Sequence, residues 1–199
     1  MRNVLLRYGY WMILGVLSCE PPPSGPIFTG SPPPPYQAPL ELMCIRYAGQ
    51  QHPHSLLLEA AQQNTLSTHF PALLEHIRPR HPLIYRALTS DQHERYTLFM
   101  PTDKAWEAFR QQYPAFPLKG DSLQALIAQH IALDFIPYQL LEDGLPRASA
   151  ANGRIINFST DDNGCILLNG YVHLEVIEDL CKNGVIHLID QVLVPENLR

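Results

Sequence analysis

Basic residues are scarce in this chain: 14 Lys and Arg face 19 Asp and Glu over 199 residues, a net charge of -5. A sequence-independent nucleic-acid binder needs a surplus of cations to displace counterions from phosphates, so nucleic acid is excluded as a partner. No apolar run reaches the roughly 18–20 residues of a membrane-spanning helix, so any membrane association has to come through a processed or lipidated end. Signatures of chemistry are missing too. There is no Gly-x-Ser-x-Gly elbow, no His-Glu-x-x-His helix and no Cys-x-x-Cys pair. The nine histidines are scattered, and His52, His54, His69, His76 and His81 lack the tight local spacing of a four-ligand zinc site, so neither metal nor cofactor is expected. Asp161-Asp162-Asn163-Gly164 lacks the alternate acids and terminal Glu of a calcium loop and reads as a hairpin turn. His130 titrates in the range of a general base, but no Ser or Cys nucleophile signature accompanies it. A hydrolase is therefore the least favoured reading, and the chain reads as no enzyme.

What is present is apolar and proline-rich. Hydrophobic residues make up 46% and charged ones 17%, enough for a packed core and incompatible with collagen or wholesale disorder. Nine of the 19 prolines lie before residue 40, so proline marks a boundary. Ahead of it, Arg2 and Arg7 flank the start of an apolar run at residues 8–17, the length of a signal-peptide core. Val16-Leu17-Ser18-Cys19 then resembles the bacterial lipobox, in which the cysteine is acylated and becomes the new N-terminus. Residues 1–18 read as a lipoprotein-type signal peptide, Cys19 as the lipid anchor, residues 19–39 as a Pro-rich tether and 40–199 as the working domain. The alternative is an ordinary signal peptide and a secreted protein. The tether forms neither helix nor central strand and holds an extended course of about 3.1 Å per residue.

Within 40–199 the helical signals come first. Leu56, Leu57, Ala60 and Ala61, then Leu66, Phe70, Leu73, Leu74 and Ile77, recur at three- and four-residue steps and predict two helices joined near Asn64. Residues 96–100 form a buried-strand candidate ended by Pro101. Thr102 is placed to cap a helix with Asp103 at its positive end and Ala105, Trp106 and Phe109 facing inward. Asp121 or Ser122 is placed to cap the next, with Leu123, Leu126, Ile127 and Ile131 on its apolar face. Asn-Gly then occurs four times, separating strand candidates at 154–159, 165–168, 171–177 and 185–194. Helices followed by hairpins predict an α+β domain rather than a βαβ nucleotide fold.

Two boxes of this sequence resemble a known family. Tyr96-Thr97-Leu98-Phe99-Met100-Pro101-Thr102-Asp103-Lys104-Ala105-Trp106-Glu107-Ala108-Phe109 looks like the first signature of fasciclin-like domains. Asn183-Gly184-Val185-Ile186-His187-Leu188-Ile189-Asp190-Gln191-Val192-Leu193-Val194-Pro195 looks like the second, and Leu167-Leu168-Asn169-Gly170 resembles the hairpin between them. The resemblance implies a wedge of antiparallel strands with flanking N-terminal helices, and adhesion or binding rather than catalysis. In it, Thr97, Phe99, Pro101, Thr102, Asp103, Ala105 and Phe109, with Asn183, Gly184, Val185, Ile186, His187, Ile189, Asp190 and Pro195, are structural signature positions. His130 matches the histidine of the family's Tyr-His pair, although its neighbour here is Gln129, and Asp179-Leu180 stands where adhesive members carry Asp-Ile. The resemblance thus marks His130, Asp179 and Leu180 as candidate partner-binding residues, for an extracellular or cell-envelope protein or glycan.

A second function class is carriage of an apolar pigment or lipid in a groove lined by Trp106, Phe109, Phe116 or Phe135, although aromatics at helical spacing usually pack inward. Besides Cys19, the chain has Cys44, Cys165 and Cys181, and Cys165 with Cys181 is the disulfide to test first because both border hairpin strands. Asn157-Phe158-Ser159 matches a glycosylation acceptor and, behind a lipobox, reads as plain strand sequence.

Overall fold

Apolar side chains that alternate along two strands, and so face both ways, organise this molecule. The computed structural model describes residues 47–48, 51–52, 54–91 and 95–195, all inside one unit, Ala38–Arg199. The signal segment, Cys19, the tether and Cys44 lie outside the described residues. Two short strands, β1 (Tyr47–Ala48) and β2 (Gln51–His52), precede α1 (Leu57–Gln63), α2 (His69–Leu73), a 3-10 turn (Leu74–Ile77) and α3 (Pro82–Leu88). The expected joint near Asn64 is present: the Asn64 side-chain oxygen accepts from the backbone N–H of Leu66 and Ser67, at 2.9 and 3.2 Å, and turns the chain between α1 and α2.

Next come β3 (Tyr96–Pro101), α4 (Asp103–Gln112), α5 (Gly120–Gln129), β4 (Ile131–Ala132) and α6 (Tyr138–Glu142). Thr102 caps α4 as expected, its hydroxyl accepting from Ala105 N–H at 3.3 Å. The expected cap of α5 is overturned. Neither Asp121 nor Ser122 caps it; Lys119 stands at the cap position with no side-chain bond, and Gly120, at φ 61°, turns the chain into the helix. Ile131 falls beyond α5 and begins β4. The hairpin region then supplies β5 (Arg147–Ser149), β6 (Ile155–Thr160), β7 (Ile166–Leu168), β8 (Val172–Cys181) and β9 (Gly184–Ile189).

The strands order as β4-β3-β9-β8-β7-β6-β5, mostly antiparallel, with β1 and β2 added alongside β8. Within that order one pair is parallel, β3 with β9, the two signature strands, from Tyr96↔Gly184 to Pro101↔Ile189, and the added β1 and β2 also run parallel to β8. The sheet closes on itself because Ala132 bridges Ala150, with Leu133 N–H donating to Ser149 C=O and Ala151 N–H to Ile131 C=O at 2.9 and 2.8 Å. One core fills the closed side, around Phe99, Ile156, Leu168 and Ile189. The other lies between sheet and helices, around Phe70, Leu98, Met100, Leu126 and Ile186. Every residue of β3 and β9 is buried, since alternate side chains feed the two cores. This is the predicted α+β wedge with flanking helices.

The disulfide expectation is overturned. Cys181 is a free thiol, while Cys165 is disulfide-bonded to a partner outside the described residues. The register of β7 on β8, Leu167↔His173 and Leu168↔Val172, sets Cys165 level with residue 175. Cys181 lies further along β8, roughly 20 Å away at about 3.3 Å per residue, whereas a disulfide spans Cα atoms about 7 Å apart at most.

Candidate functional site

The signature residues form the scaffold. Thr97 Oγ1 donates to Asp134 C=O and accepts from Ile136 N–H, both at 2.8 Å, pinning the segment ahead of α6. His187, buried in β9, is bonded through Nε2 to Ile136 C=O at 2.8 Å and stacks on Phe99 with ring centroids 5.7 Å apart. Asn183 is a buried hub. Its Oδ1 accepts from Leu57 N–H at 2.7 Å at the start of α1, and its Nδ2 donates to Ala87 C=O at 2.6 Å and Ser90 C=O at 3.2 Å at the end of α3. Beside it a Cβ on Gly184 would lie 2.2 Å from the Tyr96 carbonyl oxygen and 2.4 Å from Leu57 Cδ1, so only glycine lets β9 approach β3.

The three candidate partner-binding residues have different environments. His130 is fully buried at the end of α5: Nδ1–H donates to Leu126 C=O at 2.8 Å, Nε2 accepts from Leu193 N–H at 2.9 Å, and the ring packs on Phe70 with centroids 4.9 Å apart. Burial pushes its pKa down to about 4, and the bond to Leu126 offsets this only in part. Asp179 is also buried, and its Oδ2 accepts from Asn64 Nδ2 at 3.2 Å. Leu180, next along β8, is half-buried. Asp179 and Leu180 therefore share a strand that Asn64 ties to the α1–α2 loop, while His130 sits beneath α2.

That loop walls a cleft of about 280 Å³ whose lining combines Thr65 and Leu66, the start of α4 at Thr102, Asp103 and Lys104, and Glu175 and Val176 of β8. Leu66 is an exposed apolar side chain on its rim, at 45% exposure. Asp103 fixes the neighbouring wall: Oδ1 accepts from the backbone N–H groups of Thr68 and His69 at 2.8 and 3.1 Å and pairs with His69 Nδ1 at 2.8 Å, and Oδ2 accepts from the Thr68 hydroxyl at 2.8 Å. Burial alone would raise the Asp103 pKa, but the His69 and Thr68 donors together outweigh it and hold the carboxyl below its ordinary value. Asp103, expected as a dipole partner for α4, thus also anchors the start of α2. The neighbouring hydroxyl that would have to act as a nucleophile, Ser67 Oγ, is buried and donates to Pro101 C=O at 2.7 Å.

Sequence reasoning missed two His–Asp arrangements, the His69–Asp103 pair and the placement of His173 between Asp190 (Nδ1 to Oδ2, 3.2 Å) and Asp161 (Nε2 to Oδ2, 3.6 Å). Both join segments distant in sequence, so no local spacing announces them. Among the described residues no group of three or more His, Cys, Asp or Glu is arranged to hold a metal ion.

The aromatics named for an apolar carrier do not line a common groove, in keeping with the inward packing that helical spacing favours. Trp106 and Phe109 are buried in the core, Phe109 lies 5.2 Å from Phe116 by ring centroid, and Phe135 sits apart under the Arg95 guanidinium at 5.3 Å. The cleft at this end, between α4 and the segment after β9, holds about 200 Å³, less than the about 300–1,000 Å³ of small-molecule sites. Cys181 offers no chemistry either: burial, then Asp179 beside it, push its thiol pKa up to about 12.

Comparisons with known proteins agree with this architecture. Residues 61–195 match the Fasciclin domain family. The chain is 33% identical over 103 residues to the fasciclin-like arabinogalactan protein CTB11 of Cercospora beticola, covering 50% of this chain and 26% of that protein. It is 30% identical over 124 residues to periostin of Homo sapiens, covering 58% of this chain and 14% of that protein. It therefore spans a minor part of either relative. A solved FAS1 domain pair from the insect cell adhesion molecule Fasciclin I superimposes with a TM-score of 0.59 at 19% identity, over 73% of this chain and 52% of that one, which shows the shared fold.

Proposed function

The chain belongs to the fasciclin domain family, and from that premise we propose that it is an exported, membrane-anchored adhesion module that binds a protein or glycan partner outside the cytoplasm. The observation that carries the reading is the cleft formed by the α1–α2 loop, α4 and β8, where exposed Leu66 lies beside Asp103 and Lys104. An apolar anchor ringed by charge is the composition of a protein-recognition surface. Leu180 is the candidate residue further along β8, beyond the cleft lining, Asp179 ties β8 to the α1–α2 loop through Asn64, and His130 supports α2 from below. Binding without turnover is supported by the two buried histidines: both ring nitrogens of His130 and Nε2 of His187 are engaged with backbone groups rather than presented to a cleft.

Cys19 is the proposed site of acylation, and the Pro-rich segment that follows it is the proposed spacer between anchor and domain. A single acyl chain anchors only marginally, so stable anchoring calls for the diacyl or triacyl form. Cell-envelope localisation follows from the anchor, and secretion is the alternative if Cys19 is bypassed. Two measurements test the proposal. Metabolic labelling with a radioactive fatty acid should mark the native chain and not Cys19→Ser; no label on either removes the anchor. Beads coated with the mature chain should attach to the producing cells, and Leu66→Ser with Lys104→Glu should cut attachment about tenfold without lowering the Tm. Unchanged attachment would place the partner face elsewhere.

A further inference from the structure

On another side of the molecule a cleft of about 540 Å³ lies where the end of α5, the turn into β6 and the segment after β9 meet, a size within the about 300–1,000 Å³ of small-molecule sites. Its polar lining is Gln129, Arg154, Asn157 and Asn169, and Ile155 and Val194 supply an apolar wall. Gln129 is the deciding residue, because it is 2% exposed and both of its amide N–H donors are unused among the described residues. Asn152 Oδ1 accepts from Arg154 N–H at 3.0 Å, while Asn152 Nδ2 donates to Ala125 C=O at 3.2 Å and to Gln129 Oε1 at 2.8 Å. That chain of bonds fixes both amides: Gln129 uses its oxygen internally and leaves its Nε2 donor, unpartnered among the described residues, to the cleft it lines.

Asn169 repeats the pattern, since its Oδ1 accepts from Asn157 N–H at 2.9 Å and only its NH₂ remains to donate. Arg154 is half-buried, and its guanidinium has no acidic partner among the described residues. The cleft therefore presents hydrogen-bond donors and one positive charge, with few free acceptors. Its natural complement is a ligand rich in acceptor oxygens and carrying a carboxylate, which the planar guanidinium grips with two parallel bonds. Exposed Ile155 beside Val194 offers an apolar surface suited to the C–H face of a sugar ring.

We propose that this cleft binds a uronate-bearing saccharide, with Arg154 on the carboxylate and Gln129, Asn157 and Asn169 on ring and hydroxyl oxygens. The site is separate from the partner face around Leu66 and Lys104, and its success or failure is independent of that face. The experiment is calorimetric titration of the mature full chain with trigalacturonate, the corresponding neutral trisaccharide and triglutamate. Trigalacturonate should bind saturably, about tenfold more tightly than the neutral sugar. Arg154→Gln should remove about that factor, exposed Asn157→Ala should weaken binding severalfold, and Lys104→Glu should leave it unchanged. Absence of saturable binding up to about 10 mM, equal binding of the neutral sugar, or an unchanged affinity in Arg154→Gln at native Tm would each overturn the proposal. Triglutamate binding as tightly as trigalacturonate would overturn the saccharide assignment.

Discussion

At His130 only the neutral ring satisfies both neighbours, since Nδ1–H donates to Leu126 and Nε2 accepts from Leu193. A second ring proton would face the Leu193 N–H with no acceptor, in a site without solvent. The folded pKa, about 4, lies below the ordinary 6.5, so the unfolded chain takes up this proton first as pH falls. The contribution is therefore complete above pH 6.5, shrinks between 6.5 and about 4, and is fully lost below that. At about 1.4 kcal/mol per unit it amounts to about 3 kcal/mol. Urea denaturation from pH 7 to pH 4 should show this decline, and His130→Asn should be less stable at pH 7 yet flatter across the window. An identical slope in the variant would assign the acid sensitivity to other groups. Cys181 follows from the same physics: its thiol, raised to about 12, should resist iodoacetamide at pH 8 in the native chain and react once urea exposes it. Labelling of native protein at the rate of a free thiol would show that the end of β8 opens. For His130 the sequence favours a buried, hydrogen-bonded structural residue over a general base, but its bonding partners and the state of Cys181 could not be read, because both depend on contacts between segments distant in the chain.

Among the elements, the β8–β9 turn shows how a correct motif can carry the wrong reason. Asn169-Gly170 does what the dipeptide predicts, with both residues at positive φ, 52° and 75°. Asn183-Gly184 looks the same in sequence, yet Gly184 is not at positive φ; Asn183 joins α1 and α3 to the sheet, and Gly184 gives β9 room to reach β3. Asn183→Ala leaves the Leu57 N–H buried without its acceptor, and with the other two bonds the loss should reach about 3 kcal/mol. At about 2–4 °C per kcal/mol for this size, thermal unfolding by circular dichroism should fall by about 10 °C. A drop of only a degree or two would show that water replaces the amide. α1, α2, α4, α5, β3 and the hairpin strands were legible because their periodicity and turn residues are local. Missed were α3, whose Pro82 reads as a break in sequence but stands in the helix's first turn, then β1, β2, β4, β5 and α6, too short to show a period, and the β3–β9 pairing, which joins segments almost ninety residues apart. The α5 start was misplaced because Gly120, rather than a capping side chain, makes the entry. Because the walls of the candidate cleft come from three separate segments, sequence singles out only Leu66 and the Thr102-Asp103-Lys104 step of its lining, and those as structural positions; Asp179 and Leu180 lie further along β8 and do not line it.

For the whole molecule, the consequence of that long-range pair is cooperativity. β3 and β9 each feed alternate side chains into the helix-side core and the closed-sheet core, so neither core survives separation of the pair. The fold is also interleaved along the chain: α1 and α3 are tied to the β8–β9 turn by Asn183, and the end of α5 is tied to the segment after β9 by His130. No helical subdomain can melt while the sheet stays intact, as two-state behaviour requires. Trp106, on α4 in the helix-side core, is the sole tryptophan beyond residue 18 and reports that layer alone, whereas the 215 nm circular dichroism band reports the sheet. In urea the two signals from the mature chain should share one midpoint and one slope. A Trp106 transition preceding the sheet signal would mean the helix layer has stability of its own, contrary to the shared strands. Asn183→Ala sharpens the test, because loss of the hub should lower both midpoints together if one transition governs the fold.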